Sequence, residues 1–504
     1  MTTYRFKAAI IPAMATLILT GCRVGPVYHV PAATTQAPPA SYKESPAQFQ
    51  DSDSWKVAQP QDAMLHGKWW EIYNEPELND LEEKLNIDNQ NIRQFFENFM
   101  EARTLIAQAR SQLYPTLAAT PSYARSRSSA NLGKATAGAS GAGDESSLTS
   151  LPLTASWEPD LWGRVRNQIR SEQFNAQLSA ADLENEKLTE QATLAIVYFE
   201  LRGQDALQAL YKSTVDADQK ALDIARSGHE IGTVDQITVV EAENTLQNAT
   251  SSMINLGVAR AQDEHAIAML IGTNPSSFHI DVKPLAATPP PIPIGVPSQL
   301  LERRPDIAGS ERAMASANAQ IGVAVAAFYP NLTLSAEGGL ESSTLKHLFD
   351  WPSRFWSVGP SVSETIFDAG LRRATVNQYI AAYNANVAAY RQTVLTAFQQ
   401  VEDYLAAVRI LSQQIQQQQL AVESAKKFVE LETGRYETGI DPYVDVVTAQ
   451  TTLLTDQQSL ASLHIQQMTA SVQLIEALGG GWDTSQLPTP AQVSAKMGKT
   501  TIDK

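Results

Sequence analysis

Two long stretches of this chain repeat apolar side chains at the spacing of a buried helix face. Between Gly163 and Ser227 there is no proline, and the only interior glycine is Gly203. From Leu371 to Thr433 there is neither glycine nor proline. Ala, Leu, Gln and Glu dominate both stretches, and all are good helix formers. Leu207, Tyr211, Val215, Leu222 and Ala225 share one stripe of a coiled-coil-like pattern. A helix of about 64 residues would run roughly 96 Å, far beyond what a compact domain needs. Two shorter helices with a soft joint near Gly203 are the alternative, and they too leave the block elongated.

Elsewhere the period changes from helical to two. Leu332, Leu334 and Ala336 alternate with Thr333, Ser335 and Glu337, and Leu151, Leu153, Ala155 and Trp157 alternate with Pro152, Thr154, Ser156 and Glu158. Two further candidate strands cover roughly 116–125 and 356–367. Tyr114, Trp157, Trp162, Phe328, Tyr329, Trp351, Phe355, Trp356 and Phe367 gather at the strand ends, where membrane barrels carry interfacial aromatics. A soluble β-hairpin cap with buried aromatics would produce the same pattern.

The chain also repeats itself. Gly163 and Gly370, Arg202 and Arg409, Gly232 and Gly439, Val239 and Val446, Leu246 and Leu453, and Gly272 and Gly479 all stand 207 apart. Upstream the offset is 215, from Ile92 and Ile307 to Tyr114-Pro115 and Tyr329-Pro330. Eight extra residues in the first half fit the Ser/Gly/Ala-rich stretch 126–147, which reads as a loop. An internal duplication follows, each copy ordered helix, strand, strand, long helix, Gly turn, helix.

Composition narrows the function. A net charge of −16 lacks the basic footprint that nucleic-acid binding needs. One cysteine excludes an intrachain disulfide, and the seven histidines form no helical metal pair. No nucleophile elbow, phosphate loop or zinc-protease motif occurs, so no catalytic residue, metal or cofactor is expected. Adjacent acids such as Glu82-Glu83 and Asp263-Glu264 diverge on a helix and are expected to be solvated.

Residues 1–21 read as a signal peptide. Arg5 and Lys7 precede an apolar run at 8–21, too short for a spanning helix of roughly 20 residues. The run ends Leu19-Thr20-Gly21-Cys22, which resembles a bacterial lipobox, with the only cysteine at the acylated position. Arg23 follows in place of the Asp associated with inner-membrane retention. Residues 22–68 are expected to be a lipidated, extended tail rather than a packed element. Residues 69–272 and 299–482 are the two repeats. In the linker at 273–298, the stretch Lys283 to Ser298 carries six prolines and suits neither helix nor central strand. Residues 483–504 form a C-terminal tail.

No later run is long and apolar enough for a transmembrane helix, so any spanning part must be strands of a closed barrel. Four strands do not close one, since small membrane barrels begin at about eight. A chain with four strands must therefore oligomerise.

Specific runs carry a family likeness. They are Val24-Gly25-Pro26 with Tyr28 and Pro31, then Trp69-Trp70 and Asn74-Glu75-Pro76-Glu77-Leu78. The central run is Arg303-Arg304-Pro305-Asp306-Ile307, Glu311, Ile321-Gly322 and Phe328-Tyr329-Pro330. Last come Arg435-Tyr436, Gly439, Tyr443, Asp445-Val446-Val447 and Ala449-Gln450. With them the chain resembles the TolC-like outer-membrane efflux proteins, in their NodT-type lipoprotein branch. The resemblance implies a mainly α fold with a membrane β-barrel. It implies a homotrimer sharing twelve strands and a long periplasmic α-helical barrel. It also implies a passive exit duct joined by a periplasmic adaptor to an inner-membrane pump, and a place in the outer membrane. A lipid-anchored periplasmic coiled-coil adaptor or scaffold, or a lipoprotein enzyme, are the competing classes.

The same resemblance places the sites. Loops 126–147 and 342–354 would face outside, and the Gly turns 228–233 and 434–441 would form the periplasmic tip. Gly232, Thr233, Gly439 and Ile440 would dock the adaptor, with a helix C-cap as the plainer role for each glycine. Asp445 matches an Asp lining the constricted entrance. Where many relatives carry a second Asp three residues later, Thr448 stands here, and its counterpart in the first half is Glu241. Asp445 and Glu241 together would make a six-carboxylate constriction, unless both are solvated or paired with Arg226 or Arg435. Asp441 is expected to cap the helix opened by Pro442, and Arg304-Pro305-Asp306 to serve only as a helix start.

Overall fold

A computed structural model describes residues 23–34, 41–44, 55–57, 67–127, 129, 145–285, 288–294 and 300–495. Cys22, the signal peptide and most of the 126–147 loop lie outside them. In chain order the elements are β1 (Trp55–Val57), α1 (Pro76–Asp88), α2 (Gln90–Ser111), β2 (Thr116–Ala119), β3 (Ser122–Arg127), β4 (Glu145–Trp157), α3 (Arg164–Glu230), α4 (Gln236–Leu270), β5 (Ile292–Ile294), α5 (Leu300–Arg303), α6 (Pro305–Ala326), β6 (Asn331–Ser342), β7 (Arg354–Ser363), α7 (Leu371–Glu437), α8 (Tyr443–Ala477) and α9 (Pro490–Val493).

The fold is mainly helical with a small sheet. Each of α3 and α7 is 67 residues long, or about 100 Å. The joint considered near Gly203 does not form. Gly203 is buried mid-helix, and a Cβ there would collide with the Ile465 side chain of α8, so the glycine serves close packing. Helices α4 and α8 have 35 residues each, and α2 and α6 have 22 each. Each long helix turns back into its shorter partner, so α3 packs on α4 and α7 on α8. Near the sheet α2 and α6 fill in against α3.

Strands β2 and β3 both pair with β4 in one register, from Thr116 opposite Ser156 to Arg127 opposite Glu145. They behave as a single strand interrupted at Thr120-Pro121. Strand β4 pairs with β6, and β6 with β7, all antiparallel. This register sorts the side chains cleanly. Leu117, Leu153, Ala155, Leu332, Leu334, Ala336, Trp356, Val358 and Val362 share one face, while Thr116, Thr154, Ser156, Ser335, Glu337, Ser357 and Ser361 share the other. On the apolar face Leu117, Leu153, Trp356, Val358 and Val362 are exposed. Among the described residues no helix is long and apolar enough to cross a membrane.

Residues 23–34 and 41–44 of the N-terminal tail pack against the helices and the foot of the sheet, which corrects for them the expectation of an element without packing. Val24 donates its N–H to the Trp162 carbonyl (3.1 Å). Asn318 holds the Pro26 carbonyl (3.2 Å), and the Tyr28 hydroxyl donates to the Glu311 carboxylate. Arg391 reaches the Ala32 carbonyl, and Arg409 grips Glu44 through Nε (2.7 Å) and Nη2 (3.0 Å). A proline-rich segment can pack through carbonyls that partners reach from the side. Within the linker β5 pairs in parallel with β1 over three residues, as an edge strand and not a central one. Two isolated short strands meeting edge to edge tolerate Pro293 where a central strand would not. Residues 483–495 of the C-terminal tail reach α2 and α3, where Arg103 binds the Val493 carbonyl and Gln177 the Pro488 carbonyl.

The main core sits at mid-height. Trp69, Trp70, Tyr73, Leu78, Leu81 and Leu85 pack there on Leu194, Tyr198 and Phe199 of α3, and on Met468 and Leu474 of α8. A charged network closes it. Arg202 donates to Asp205 (3.1 Å), to Glu77 and to the Asp281 carbonyl (2.6 Å). Arg260 donates to Asp205 (2.7 Å), Glu264 (3.1 Å) and the Ile280 carbonyl (2.7 Å). The expectation that the adjacent acids are solvated fails at three of them. Glu82 is fully buried, and burial pushes its carboxyl well above the usual range, while Glu83 faces out and pairs with Lys68. Glu264 is tied into the Arg260 network, and burial, with Glu200, pushes Asp263 up to about 6. Divergence on the helix sends Glu82 inward and Glu83 outward, whereas Asp263 and Glu264 are both half-buried.

Arg304-Pro305-Asp306 opens α6 with Pro at its first position. Its role is wider than a helix start. Arg304 chelates Asp306 (3.0 and 2.7 Å), then reaches Gln400 of α7 (2.9 Å) and the Ala477 carbonyl ending α8 (3.0 Å).

Candidate functional site at the helical tip

The two helix hairpins turn with the same hydrogen bonds. In the first, the Gly232 N–H donates to the His229 carbonyl (3.0 Å) and the Thr233 N–H to the Gly228 carbonyl (2.9 Å). In the second, the Gly439 N–H donates to the Tyr436 carbonyl (2.9 Å) and the Ile440 N–H to the Arg435 carbonyl (2.9 Å). Both are Schellman closures, and Gly232 (φ 77°) and Gly439 (φ 72°) supply the left-handed residue each requires. A Cβ at either position would meet open space, so the backbone angle alone calls for glycine. The turns leave Ile231, Ile237, Val240, Ile440 and Val444 exposed around them.

Behind the turns lies a small core. Leu222 and Ala225 of α3, Val239, Ala242 and Leu246 of α4, and Tyr443 and Val446 of α8 are buried together, with Tyr436 of α7 packed against them. The Tyr436 and Tyr443 rings are 5.3 Å apart. The tip is thus one packed unit drawn from four helices.

The charged residues surround this core. In the first hairpin Asp235 caps α4, accepting from the Thr238 N–H (3.0 Å) and hydroxyl (2.9 Å), and those bonds hold its carboxyl below the usual range. In the second hairpin Pro442 occupies the cap and no side chain caps α8. The expected capping by Asp441 is therefore corrected: its carboxylate is held by Arg435, through Nε and through Nη2 at 3.0 Å, and this keeps it below the usual range. The carboxylate oxygens of Glu432, Asp441 and Asp445 lie within 4.8 Å of one another. Because the Arg435 guanidinium already occupies one side of Asp441, the group is a partly balanced charge cluster rather than an open metal site.

The pairing considered for Asp445 and Glu241 does not occur. Arg226 lies 3.7 Å from Glu243, and Arg435 is bound to Asp441. Neither Asp445 nor Glu241 makes an ion pair among the described residues. Asp445 joins the cluster with Glu432 and Asp441. Glu241 acts through its charge on Tyr443, two residues before Asp445. Sequence reasoning missed Glu432, which lies in the uninterrupted run of α7 and has no motif to mark it. It also missed that Tyr443 is buried in the core behind the turns.

A duct-length helical body, with a sheet of one apolar and one polar face at one end and paired turns at the other, defines a channel-forming envelope protein. The chain belongs to the outer membrane efflux protein family, whose model matches residues 83–273 and 296–480. It is 30% identical over 500 residues to the probable efflux pump outer membrane protein TtgC of Pseudomonas putida, covering 98% of this chain and all of that one. It is 32% identical over 495 residues to the solvent efflux pump outer membrane protein SrpC of the same species, covering 96% of this chain and all of that one. Among solved structures, the outer-membrane channel OprN superposes with a TM-score of 0.80 at 26% identity, over 92% of this chain and all of that one. The Campylobacter jejuni CmeC outer membrane channel shares the fold, with a TM-score of 0.81 at 22% identity over 92% of this chain and 96% of that one. The protein is an outer-membrane efflux channel and not an enzyme. The adaptor or scaffold alternative is not favoured.

Proposed function

We propose that the protein is the passive exit duct of a tripartite efflux assembly, working as a homotrimer with one shared β-barrel and one helical barrel built from duplicated repeats. The observation that carries this reading is the sheet. Its apolar face suits lipid and its polar face suits a lumen, yet among the described residues the outer edges of β2/β3 and β7 find no partner within the sheet. An open edge is untenable in hydrocarbon, where each unsatisfied backbone group costs several kcal/mol. Three copies joined edge to edge would supply twelve strands and leave no edge. The offsets of 207 between α3 and α7 and between α4 and α8, and of 215 between α2 and α6, support two copies of one unit.

Transport through such a duct needs no bond chemistry. It needs a polar wall, a narrow entrance and a dock. Small molecules handed over by an inner-membrane pump and a periplasmic adaptor would enter at the tip, where Gly232-Thr233 and Gly439-Ile440 present two alike surfaces to the adaptor. Three copies of Asp445 and Glu241 would place six carboxylates around that entrance and favour cations by their field. Lipid on Cys22 would hold the tail at the membrane, since Arg23 and Val24 already lie against Trp162-Gly163 at the foot of the sheet. Mass measurement of the purified protein in detergent tests the assembly: a trimer is expected, and a stable monomer or dimer would overturn the edge-closure argument.

A further inference from the structure

The face of α3 that enters the tip core carries Tyr211, Val215, Asp218, Leu222 and Ala225, at alternating spacings of four and three residues. That is the seam spacing of a coiled coil, and one seam position is an acid. Asp218 is 4% exposed, and one of its carboxylate oxygens is buried with no hydrogen-bond partner. Its counterpart in the second copy of the repeat is Ala425, also buried, so the second hairpin fills the same place with a methyl group.

The surroundings offer no cation. From α8, Tyr443 faces Asp218; burial first, then the charges of Asp218, Tyr436 and Glu241, push the Tyr443 hydroxyl up to about 12. Tyr436 comes from α7 and Glu241 from α4. No lysine, arginine or histidine pairs with Asp218 among the described residues. An unpaired carboxylate in an apolar seam is costly when ionised and tolerable when protonated. Burial accordingly pushes Asp218 up to about 6. Tyr443 lies midway between Asp441 and Asp445, so whatever parts α3 from α8 here also moves the acids at the entrance.

We propose that Asp218 is a proton-operated catch on the tip: neutral, it lets the α3 seam close on Tyr443; ionised, it favours a parted seam in which the carboxylate reaches water. This rests on the channel reading above, with the tip as its narrow end. The sign follows from the raised value in the closed form. The closed form binds the proton more tightly than the parted one, so its advantage is full at pH below the ordinary carboxylate range and is lost as pH rises through about 6. For one copy of Asp218, which is almost fully buried, that shift should raise the ratio of open to closed tips about tenfold between pH 5 and pH 8.

The test uses the full-length protein in planar bilayers, with open fraction recorded from pH 5 to pH 8 at constant salt. The wild type is expected to open about tenfold more at the upper end. Asp218→Asn, and Asp218→Ala which copies Ala425, are expected to stay flat at the acid-side level. Asp216→Asn, which removes an exposed acid from the same helix, is expected to keep the wild-type slope. A flat wild type, or a variant at position 218 that keeps the slope, would overturn the catch while leaving the channel intact. Inserted protein that conducts at no pH would overturn the channel reading and the catch with it. Hydrogen exchange at pH 8 gives a second readout: amides at 215–225 should be better protected in Asp218→Asn than in the wild type, and equal protection would also overturn the proposal.

Discussion

Replacing Asp205 with alanine removes the anion on which two helices and a linker converge. Asp205 is fully buried and accepts from Arg202 (3.1 Å), Arg260 (2.7 Å) and the Lys283 N–H (2.9 Å). Without it, the Arg202 and Arg260 side chains, 3% and 11% exposed, stay buried with one neutralising partner fewer. Breaking a buried ion pair costs about 3–5 kcal/mol. The lower end, about 3 kcal/mol, applies here, because Glu77 still pairs with Arg202 and Glu264 with Arg260. The molecule supplies its own control. Arg409 is the counterpart of Arg202 in the second repeat and binds Glu44, with side chains 23% and 12% exposed, so Arg409→Ala should cost about 1 kcal/mol. Large membrane proteins commonly unfold irreversibly, so the assay is the rate of thermal inactivation in detergent, read beside protease cleavage within 279–288. Asp205→Ala should inactivate much faster than Arg409→Ala and should expose the linker. If Asp205→Ala is as durable as Arg409→Ala, the network does not hold the linker and the reasoning fails.

Three further outcomes are expected. In planar bilayers the Asp445→Ala/Glu241→Ala double variant should lose cation preference and block by multivalent cations; unchanged selectivity would remove both residues from the entrance. A photo-crosslinker at Thr233 or Ile440 should capture the periplasmic adaptor, and capture only from the 342–354 loop would place the dock elsewhere. Cys22→Ala should abolish incorporation of acyl label while leaving barrel insertion intact, and retained label would assign the lipid to another residue.

The helical body and the small sheet were legible because each is written in a period. A proline-free run with one interior glycine announced α3, a run free of both announced α7, and alternation announced β4 and β6. The tip turns showed as Gly232 and Gly439 because only glycine suits their backbone angle at no steric cost. Other features had no local sign. The packed tail is held through the Val24 N–H and the carbonyls of Pro26 and Ala32, and backbone groups look alike in every sequence. Asp218 was visible in principle: it falls in the same stripe as Val215 and Leu222, but a reading that collects apolar residues passes over the one acid among them. Glu432 approaches Asp441 and Asp445 only once the hairpin is folded.

Helices α3 and α7 match each other in length, as do α4 and α8, and this makes the body a ruler. One inserted residue in any of them would turn everything beyond it by about 100° and swing the seam away from its neighbour. Two or three would do little better. The smallest extension that restores the seam is a heptad, about 10 Å of added reach, made in both helices of a hairpin at once. A heptad in one hairpin alone would leave the Gly232 and Gly439 turns at different depths and split the tip core that all four helices share. The depth this duct can span is therefore set in coarse steps, and each step is one concerted change in four helices.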